Sequence, residues 1–502
     1  MPASPTRSAF HELAATADLV PVSREILLDT DTAVSAFRKV ARGRFSFLLE
    51  SVVGGERWAR YTFFGTEPRS AWRLRDGAVS TWRPGEGWSG DEQVEDPLAD
   101  LERRVLAPTV AEVPGLPRFT GGWVGYFGYD IIRCIESLPD APPSALDVPD
   151  ALFVETRAVV AIDNLAARAL VLVYADTRGA ESAELERRYE AAIAEIDEVV
   201  DRLRGPGRLA PLPVSRERGT DPDFESSLSR EAFEARVRTI QEYILAGDAF
   251  QVVLSQRLSI GLPDHDPFDV YRALRTLNPS PYLFYLEMDG LHLIGSSPEV
   301  LVRAEEGTVT VRPIAGTRPR SSDADEDDRR AEELRLDPKE VAEHLMLLDL
   351  GRNDVGRISE YGSVRVTERM EIERYSHVLH MVSSVEGRLA EGHTLFDALR
   401  ATFPAGTVSG APKVRAMEII DELEPVRRGP YAGAVGYLAH GGAGMDLAIA
   451  IRTLLVHEGR AHVQAGAGVV ADSVPSAEYE ETLAKARALL RAVGMLGDVP
   501  GG

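Results

Sequence analysis

The sequence contains a single cysteine, Cys134, in 502 residues. One thiol excludes an internal disulfide bond and a cysteine-based metal cluster. No apolar run approaches the ~18 residues that a membrane-spanning helix needs, and the N-terminus lacks the basic-then-apolar order of a signal peptide. These absences favour a cytoplasmic enzyme without a membrane segment. Because no nucleophile motif surrounds Cys134, we expect it to be a buried structural thiol.

Positive charge is also scarce. The chain has 56 Lys and Arg residues against 79 Asp and Glu residues, which gives a formal net charge of −23 at pH 7. A nucleic-acid partner would require clustered basic residues to displace its counterions, so this balance argues against one. The same balance means that a site for an anionic ligand must supply its own local positive charge.

One stretch of the chain lacks both helical and strand periodicity. Between Leu203 and Asp223 the sequence is dense in Pro, Gly and charged residues, which predicts a linker or a surface loop. We place this segment at residues 206–226, between an N-terminal domain at residues 20–205 and a second domain at residues 227–494. Helices and strands alternate in the second domain, a pattern typical of an α/β or α+β fold.

The start of the second domain carries the clearest local signals. Ser229 is a typical helix N-cap residue, and Gly247 is expected to end the helix that follows it. Strand-like alternation then runs from Ala249 to Ile260 and places Gln251 on one face of the strand.

Two later predicted helices each carry a pair of carboxylates on one face. Glu340 and Glu343 are three residues apart, and so are Glu478 and Glu481. Four carboxylates from two helices can hold a hard divalent cation such as Mg²⁺. From spacing alone, solvated helix faces are the more common outcome, since the first pair also fits a helix cap and Glu481 can form an ordinary ion pair with Lys485.

Three glycine-rich stretches could direct backbone N–H groups at an anion, with basic residues nearby. None has the spacing of a phosphate loop, and each taken singly is most often a turn. The stretches are Gly406–Lys413, Arg428–Gly433 and Gln464–Gly468, and the basic residues are Lys413, Arg428 and Arg452.

Taken together, these stretches resemble the chorismate-utilising enzymes over Arg230 to Leu490. Ten motifs in the order of the family carry the resemblance: GDAFQVVLSQR (Gly247–Arg257), GSSPEVLVR (Gly295–Arg303), RPIAGTRPR (Arg312–Arg320), KEVAEHLMLLDLGRNDVGR (Lys339–Arg357), HVLHMVSSVEG (His377–Gly387), FPAGTVSGAPK (Phe403–Lys413), RGPYAGAVGY (Arg428–Tyr437), DLAIAIRT (Asp446–Thr453), QAGAGVVADS (Gln464–Ser473) and EYEETLAKA (Glu478–Ala486). Three further motifs resemble the regulatory domain of anthranilate synthase large subunits: LLES (Leu48–Ser51), RYTFFG (Arg60–Gly65) and FTGGWVGYFGYD (Phe119–Asp130). The implied fold is α+β, with α/β-type layering: two packed β-sheets flanked by helices.

Two positions separate the reactions of this family. Isochorismate and salicylate synthases carry a water-activating lysine where this chain has Gln251, and aminodeoxychorismate synthases carry a nucleophilic lysine where it has Ala315. Gln251 and Ala315 therefore leave ammonia as the nucleophile at ring carbon 2. The resemblance thus implies amination of chorismate with loss of pyruvate to give anthranilate, the first step of tryptophan biosynthesis.

Two alternatives are weighed against this reaction. Aminodeoxychorismate synthase component I is disfavoured by Ala315. A non-catalytic tryptophan-binding regulatory subunit is disfavoured because all four glutamates, Glu299 and Arg452 are present.

The resemblance also implies roles for individual residues. Glu299 is expected to protonate the departing 4-hydroxyl group, and His380 and Thr407 are expected to orient or serve the elimination of pyruvate. The implied cofactor is Mg²⁺, with the expected ligands Glu343, Glu481, Glu340 and Glu478. The residues expected to bind chorismate are Gly316, Thr317, Tyr431, Arg452, Gln464, Ala465, Gly466, Ala467, Gly468 and Lys485.

A separate site for tryptophan, as a feedback inhibitor, is implied by the LLES motif and by the loop Asn278–Tyr285. Its expected residues are Glu50, Ser51, Pro281, Tyr282, Leu283, Val435, Tyr437 and Asp446. No glutaminase motif accompanies the single cysteine. We therefore expect the chain to use ammonia by itself, and to use glutamine only in a hetero-oligomer with a separate amidotransferase subunit.

Overall fold

A computed structural model describes residues 3–51, 60–207, 209–212, 222–262, 265–321, 323–375 and 378–496. In these ranges the helices are α1 (Arg7–Ala14), α2 (Ala33–Val40), α3 (Pro97–Leu106), α4 (Ser182–Arg204), α5 (Arg230–Ala246), α6 (Pro267–Leu277), α7 (Ala324–Leu336), α8 (Pro338–Gly356), α9 (Leu395–Thr402), α10 (Lys413–Leu423) and α11 (Pro475–Gly494). Short 3₁₀ turns occur at Tyr129–Cys134, Gly406–Val408 and His440–Gly442. Of the predicted linker, residues 206–226, residues 208 and 213–221 lie outside the described ranges.

The strands in the same ranges are β1 (Leu19–Leu27), β2 (Phe45–Glu50), β3 (Tyr61–Thr66), β4 (Ser70–Arg75), β5 (Ala78–Arg83), β6 (Gly87–Trp88), β7 (Glu92–Gln93), β8 (Gly122–Phe127), β9 (Ala151–Glu155), β10 (Ala158–Asp163), β11 (Arg168–Asp176), β12 (Glu225–Ser226), β13 (Gln251–Gly261), β14 (Tyr282–Met288), β15 (Leu291–Ser297), β16 (Val300–Glu305), β17 (Thr308–Val311), β18 (Ile314–Pro319), β19 (Arg365–Arg374), β20 (Val378–Arg388), β21 (Gly410–Ala411), β22 (Ala434–Ala439), β23 (Gly444–Ile449), β24 (Thr453–His457) and β25 (Arg460–Val469).

These strands form two antiparallel sheets. The first has the order β1-β11-β10-β3-β2-β14-β15-β24-β25-β13-β12, with β21 beside β13. The second has the order β18-β20-β17-β16-β23-β22-β8-β9-β4-β5-β6, with β19 beside β20 and β7 beside β5. Strands from before and after the predicted linker pair directly in both sheets, since β2 pairs with β14 and β8 with β22. The two segments, residues 20–205 and 227–494, therefore share their sheets, and the domain boundaries remain a prediction from sequence.

Apolar side chains fill the space between the two sheets. Phe47 and Leu286 of the first sheet meet Tyr126 and Val435 of the second in one buried cluster. The outer face of the first sheet packs against α2, α4, α6 and α11, and that of the second against α3, α8 and α9. This helix–sheet–sheet–helix layering confirms the expected α+β fold of two packed β-sheets flanked by helices.

The local predictions at the start of the second segment are also confirmed. The hydroxyl group of Ser229 accepts a hydrogen bond from the N–H group of Ala232 and caps α5. Gly247 ends this helix at φ +89°, a left-handed conformation that favours glycine. None of the helices in the described ranges has the length and apolar character that crossing a membrane requires.

Two crossings of the chain between the sheets lie side by side. β15 of the first sheet leads into β16 of the second through Glu299, and β23 of the second leads into β24 of the first through Arg452. Two backbone hydrogen bonds of 3.0 Å join the crossings, from Ile449 N–H to the carbonyl of Glu299 and from Ser296 N–H to the carbonyl of Arg452. The fold thereby joins the backbone segments that carry Glu299 and Arg452 at the junction of the two sheets.

Candidate active site

Glu299 is a buried acid, 6% exposed, in the crossing between β15 and β16. Its Oε1 accepts a hydrogen bond of 3.0 Å from the hydroxyl group of Thr407. Burial raises the pKa of Glu299 to about 8, although the Thr407 hydroxyl, the Ile314 N–H and the charge of Lys485 each act to lower it. The carboxyl group is therefore protonated at neutral pH and can donate a proton.

His380 lies on β20, opposite a bulge in β18 at Gly316. Its Nδ1 is 3.1 Å from the carbonyl oxygen of Gly316 and 3.1 Å from the hydroxyl oxygen of Thr317. A carbonyl group only accepts hydrogen bonds, so Nδ1 carries the proton and Nε2 the lone pair. Burial lowers the pKa of His380 to about 4, which keeps the ring neutral. Ala315 precedes the bulge and is buried beside it.

The four expected metal ligands lie on two helices, Glu340 and Glu343 on α8, and Glu478 and Glu481 on α11. Burial raises the pKa of Glu343, and the negative charges of Glu340 and Glu481 raise it further. Burial also raises the pKa of Glu478. The hydrogen bond from the Ser473 hydroxyl lowers this pKa, and the negative charge of Glu481 raises it. These carboxylates therefore repel one another across the site.

Two of these glutamates have basic partners. Arg318 Nη1 lies 2.8 Å from Glu340 Oε1, and Lys485 Nζ lies 2.7 Å from Glu481 Oε1. Across the described ranges, no three His, Cys, Asp or Glu side chains are grouped closely enough to hold a metal ion. The structure therefore gathers the expected donors on two helices without bringing their oxygen atoms to a common point.

Local positive charge comes from Arg452 and Lys485. Lys485 Nζ donates a hydrogen bond of 2.9 Å to the carbonyl of Gly466. The guanidinium of Arg452 forms no hydrogen bond or ion pair with any residue in the described part of the chain. Arg452 has φ +50°, a strained conformation for a residue other than glycine, and such strain is often found at functional sites. The arginine that a −23 chain needs for an anionic ligand is thus present and available.

Glycine in β25 allows two side chains to approach the strand closely. A Cβ atom on Gly466 would lie 2.8 Å from the hydroxyl oxygen of Tyr431, and one on Gly468 would collide with the amide nitrogen of Gln251. Gln251 is buried, and its Oε1 has no hydrogen-bond partner in the described residues. The Tyr431 phenol and the Gln251 amide therefore approach the same face of β25, and both depend on glycine for room.

Other expected chorismate contacts on β25 are placed differently. Ala465 and Ala467 alternate with the glycines, so their side chains point to the opposite face of the sheet, and Ala465 packs in the core near α11. The Gln464 amide is occupied within the protein: Nε2 donates to the Ser255 hydroxyl at 2.8 Å, and Oε1 accepts from Arg257 Nε at 3.2 Å. Ala465 and Ala467 can therefore present only backbone groups to the site. The Gln464 side chain links β25 to β13 through Ser255 and Arg257.

A separate cavity lies between the two sheets. All eight residues expected to bind tryptophan line it: Glu50, Ser51, Pro281, Tyr282, Leu283, Val435, Tyr437 and Asp446. Asp446 is 3% exposed and accepts hydrogen bonds from the Tyr282 hydroxyl at 2.9 Å and from Arg303 Nη2 at 2.7 Å. Glu50 is likewise buried and paired with Arg275 at 3.0 Å.

Sequence reasoning missed several residues of this cavity: Tyr61, Phe63, Arg118 and Arg303. The two arginines face the carboxylate of Asp446, and Arg118 Nη2 lies 3.5 Å from it. One sequence signal pointed towards them. Asp446 stands in the apolar run MDLAIAI, and a carboxylate buried in such a run requires a basic partner.

The fold and the site define an enzyme of the chorismate-binding class. The family model for chorismate binding enzymes matches residues 68–491. Anthranilate synthase component 1 of Pseudomonas putida is 51% identical over 495 residues, which cover 97% of this chain and 98% of that protein. The Thermus thermophilus component 1 is 51% identical over 478 residues, 95% of this chain and 98% of that protein.

Solved structures agree with these relatives. Anthranilate synthase component I from Streptococcus pneumoniae superposes with a TM-score of 0.76 at 39% identity, over 88% of this chain and 94% of that one. The menaquinone-specific isochorismate synthase of Escherichia coli has a TM-score of 0.68 at 17% identity, over 97% and 98%, and shares the fold. The chain therefore belongs to the chorismate-binding enzymes and, within them, to the anthranilate synthase large subunits of tryptophan biosynthesis. The alternative of an aminodeoxychorismate synthase is not favoured.

Proposed function

We propose that Glu299 is the general acid in the amination of chorismate by ammonia. The observation that carries this proposal is a carboxyl group that burial keeps protonated at neutral pH and that accepts a hydrogen bond from Thr407. Glu299 gives its proton to the 4-hydroxyl group as the bond from carbon 4 to oxygen breaks, and water leaves. The lone pair of ammonia forms the new bond at carbon 2, the two ring double bonds shift towards carbon 4, and the electron pair of the broken bond leaves with the oxygen.

The second half of the reaction removes pyruvate. The proton on carbon 2 passes to a base, the bond from carbon 3 to the enolpyruvyl oxygen breaks, and the ring becomes aromatic. We assign the base to His380, because its ring is neutral and its Nε2 carries a lone pair. Thr407 supports the first half by orienting Glu299.

Ammonia, and not a side chain, is the nucleophile in this proposal. Ala315 contributes a methyl group where a lysine nucleophile stands in aminodeoxychorismate synthases. Gln251 contributes a neutral amide, and its partner-free Oε1 can accept a hydrogen bond from ammonia. Both residues are buried, which keeps bulk water from competing for carbon 2.

The two carboxylates of chorismate require positive charge and N–H donors. Arg452 offers a planar guanidinium that can bind one carboxylate in a bidentate manner. Lys485, the Tyr431 hydroxyl and the backbone of Gly466–Gly468 lie beside it and can hold the enolpyruvyl end. Gly316 and Thr317 border the same space through their contact with His380.

Magnesium fits the remaining donors by their chemistry. The negative charges of neighbouring glutamates raise the pKa of Glu343 and of Glu478, and a hard divalent cation would relieve this repulsion. Glu343 and Glu481 would hold the ion, with Glu340 and Glu478 close by. When bound, Mg²⁺ supplies positive charge that neutralises the ring carboxylate of the substrate. Arg318 and Lys485 pair with Glu340 and Glu481 and neutralise part of the negative charge of the four glutamates.

The cavity between the sheets is proposed as the feedback site for tryptophan. Its buried acids, Glu50 and Asp446, can bind an ammonium group, and its basic residues, Arg118 and Arg303, can bind a carboxylate. Aromatic and apolar side chains supply the wall for an indole ring. β16 carries Arg303 and begins directly after Glu299. A displacement of Arg303 on tryptophan binding can therefore reach Glu299 along a single strand.

A separate amidotransferase subunit is proposed as the source of ammonia from glutamine. The name component 1, carried by the relatives, implies a second component in those enzymes. Burial raises the pKa of the Cys134 thiol to about 11, so the one cysteine of the chain is not a thiolate nucleophile at neutral pH.

The test uses the purified chain with chorismate and Mg²⁺. Ammonium at alkaline pH is expected to give the fluorescence of anthranilate, whereas glutamine gives it only after a component 2 subunit is added. Glutamine-dependent turnover by the chain alone would overturn the two-subunit proposal, and no product from ammonium would overturn the proposed chemistry.

A further inference from the structure

A buried ion pair connects several elements of the candidate site. The side chains of Glu424 and Arg428 are 2% and 1% exposed. Their contact is bidentate, with Arg428 Nη2 donating to Oε1 at 2.7 Å and Nε donating to Oε2 at 2.9 Å. Burying two charges carries a desolvation cost that pairing often fails to recover, so stability alone is a poor reason for such a pair.

Arg428 also binds two backbone carbonyl groups. Nη1 donates to Val408 at 2.7 Å, and Nη2 donates to Val253 at 2.8 Å. Val408 directly follows Thr407 in the turn Gly406–Val408, and Val253 lies on β13. One guanidinium therefore fixes the turn that carries Thr407 to the edge of the first sheet.

The guanidinium of Arg428 contacts two aromatic rings as well. Its Cζ lies 4.7 Å from the ring centre of Tyr129 and 5.5 Å from that of Tyr431. These distances are typical of cation–π contacts. Tyr431 in turn places its hydroxyl against Gly466. A lysine could not reproduce this set, because it lacks the planar fork and the stacking surface.

Glu424 fixes the arginine from the other side. Its Oε1 accepts hydrogen bonds from the N–H group of Ser255 at 2.8 Å and from the Ser255 hydroxyl at 2.7 Å. Both carboxylate oxygens are therefore in use, and the pair has one orientation relative to β13.

We propose that Arg428, held by Glu424, is a positioning residue for the reaction. It keeps Thr407 in hydrogen-bond contact with Glu299 and keeps the Tyr431 ring against Gly466. Arg428 acts through these residues, since its own donors are directed to Glu424, Val408 and Val253. The proposal rests on the general-acid role of Glu299 proposed above.

The test compares Arg428→Lys with the wild type in the ammonium-dependent reaction. A displacement of about 1 Å at a catalytic group typically costs about 100-fold in rate, and we expect a fall in kcat of that order. The discriminating readout is the pH dependence of kcat at constant free ammonia. The wild-type kcat should fall above pH about 8, where Glu299 loses its proton.

In Arg428→Lys this alkaline limb should move to higher pH. The Thr407 hydroxyl lowers the pKa of Glu299, so its displacement lets that pKa rise. The other groups that face Glu299 and lower its pKa, Lys485 and the Ile314 N–H, are unchanged by the substitution. If Arg428 only stabilised the fold, the substitution would lower kcat at every pH and leave the pH of the alkaline limb unchanged.

Arg133→Lys is the matched control. Arg133 Nη2 donates to both oxygens of Asp421 at 2.9 Å, and Asp421 lies on α10 three residues before Glu424. This pair touches no residue of the site, so kcat and the alkaline limb should stay as in the wild type. Loss of kcat with a shifted limb in this control would overturn the proposal, because it would assign the effect to α10 as a whole.

A milder variant keeps the test decisive where Arg428→Lys does not fold. Ser255→Ala removes one hydrogen bond to Glu424 and should produce a smaller fall in kcat with a limb shift in the same direction. A wild-type limb that neither variant moves overturns the positioning role alone. A wild type without any alkaline limb overturns the general-acid role of Glu299 and the positioning role with it.

Discussion

The hydroxyl group of Thr407 donates a 3.0 Å hydrogen bond to the carboxyl group of Glu299. The two residues come from distant parts of the chain, one from a 3₁₀ turn before α10 and the other from the crossing between the two sheets. The bond orients a carboxyl group that burial holds in its protonated form.

Glu299→Gln should lower kcat by about 10²–10⁴-fold, the usual contribution of a general acid. Glutamine keeps the volume and the contact with Thr407 but cannot release a proton. The carboxyl group acts while protonated, so wild-type activity is present below pH about 8 and is lost as pH rises through that value. The measurement is kcat against pH at constant free ammonia. A variant with wild-type kcat would show that the proton comes from elsewhere.

Glu343→Gln and Glu481→Gln should each weaken Mg²⁺ binding and reduce activity strongly, because each removes one hard oxygen charge from the cluster. Calorimetric titration with Mg²⁺ reads binding independently of turnover. Glu480→Gln is the control on the same helix, since Glu480 is 54% exposed and pairs with Arg230 at 2.9 Å. Equal Mg²⁺ affinity in all three variants and the wild type would contradict the metal assignment.

Ser51→Phe should relieve inhibition by tryptophan and leave turnover close to that of the wild type. The added ring fills the cavity between the sheets, which is separate from the residues around Glu299. Ser182→Phe, on the exposed start of α4, controls for the added aromatic surface. The measurement is initial rate against tryptophan concentration. A wild type that is insensitive to millimolar tryptophan would refute the site.

Ala315→Lys should nearly abolish anthranilate formation, because the new amine occupies the path of ammonia to carbon 2. Gln251→Lys should lower amination and release some isochorismate, to the extent that burial depresses the pKa of the new lysine enough to activate water. Chromatography of the products, with mass spectrometry of the intact protein, distinguishes these outcomes. Full anthranilate activity in Ala315→Lys would show that this side chain does not face carbon 2.

The parts of the fold that depend on local sequence were predictable. Ser229 and Gly247 set the ends of α5 through hydrogen bonds and backbone conformation within a few residues. Strand pairing was not predictable in the same way, because Glu50 lies opposite Leu283 across a long stretch of intervening chain. Such register depends on the whole buried surface between the sheets.

The candidate site shows the same contrast between features set by local sequence and features set by tertiary contacts. Family motifs indicated eight residues that line the cavity between the sheets, yet not Arg118 or Arg303, whose partner Asp446 is fixed by tertiary contacts. Gln464 and Ala465 stand in a matching motif, but the alternation of β25 places the Ala465 side chain on the face opposite Gly466, and the Gln464 amide is held by the Ser255 hydroxyl. A motif identifies a strand more reliably than it identifies the face that each side chain takes.

The most direct test of the account is the fate of chorismate supplied with ¹⁵N-ammonium and Mg²⁺. The purified chain should convert it to ¹⁵N-labelled anthranilate and an equal amount of pyruvate, measured by mass spectrometry and a coupled pyruvate assay. Accumulation of aminodeoxychorismate, or of isochorismate without nitrogen label, would contradict the account.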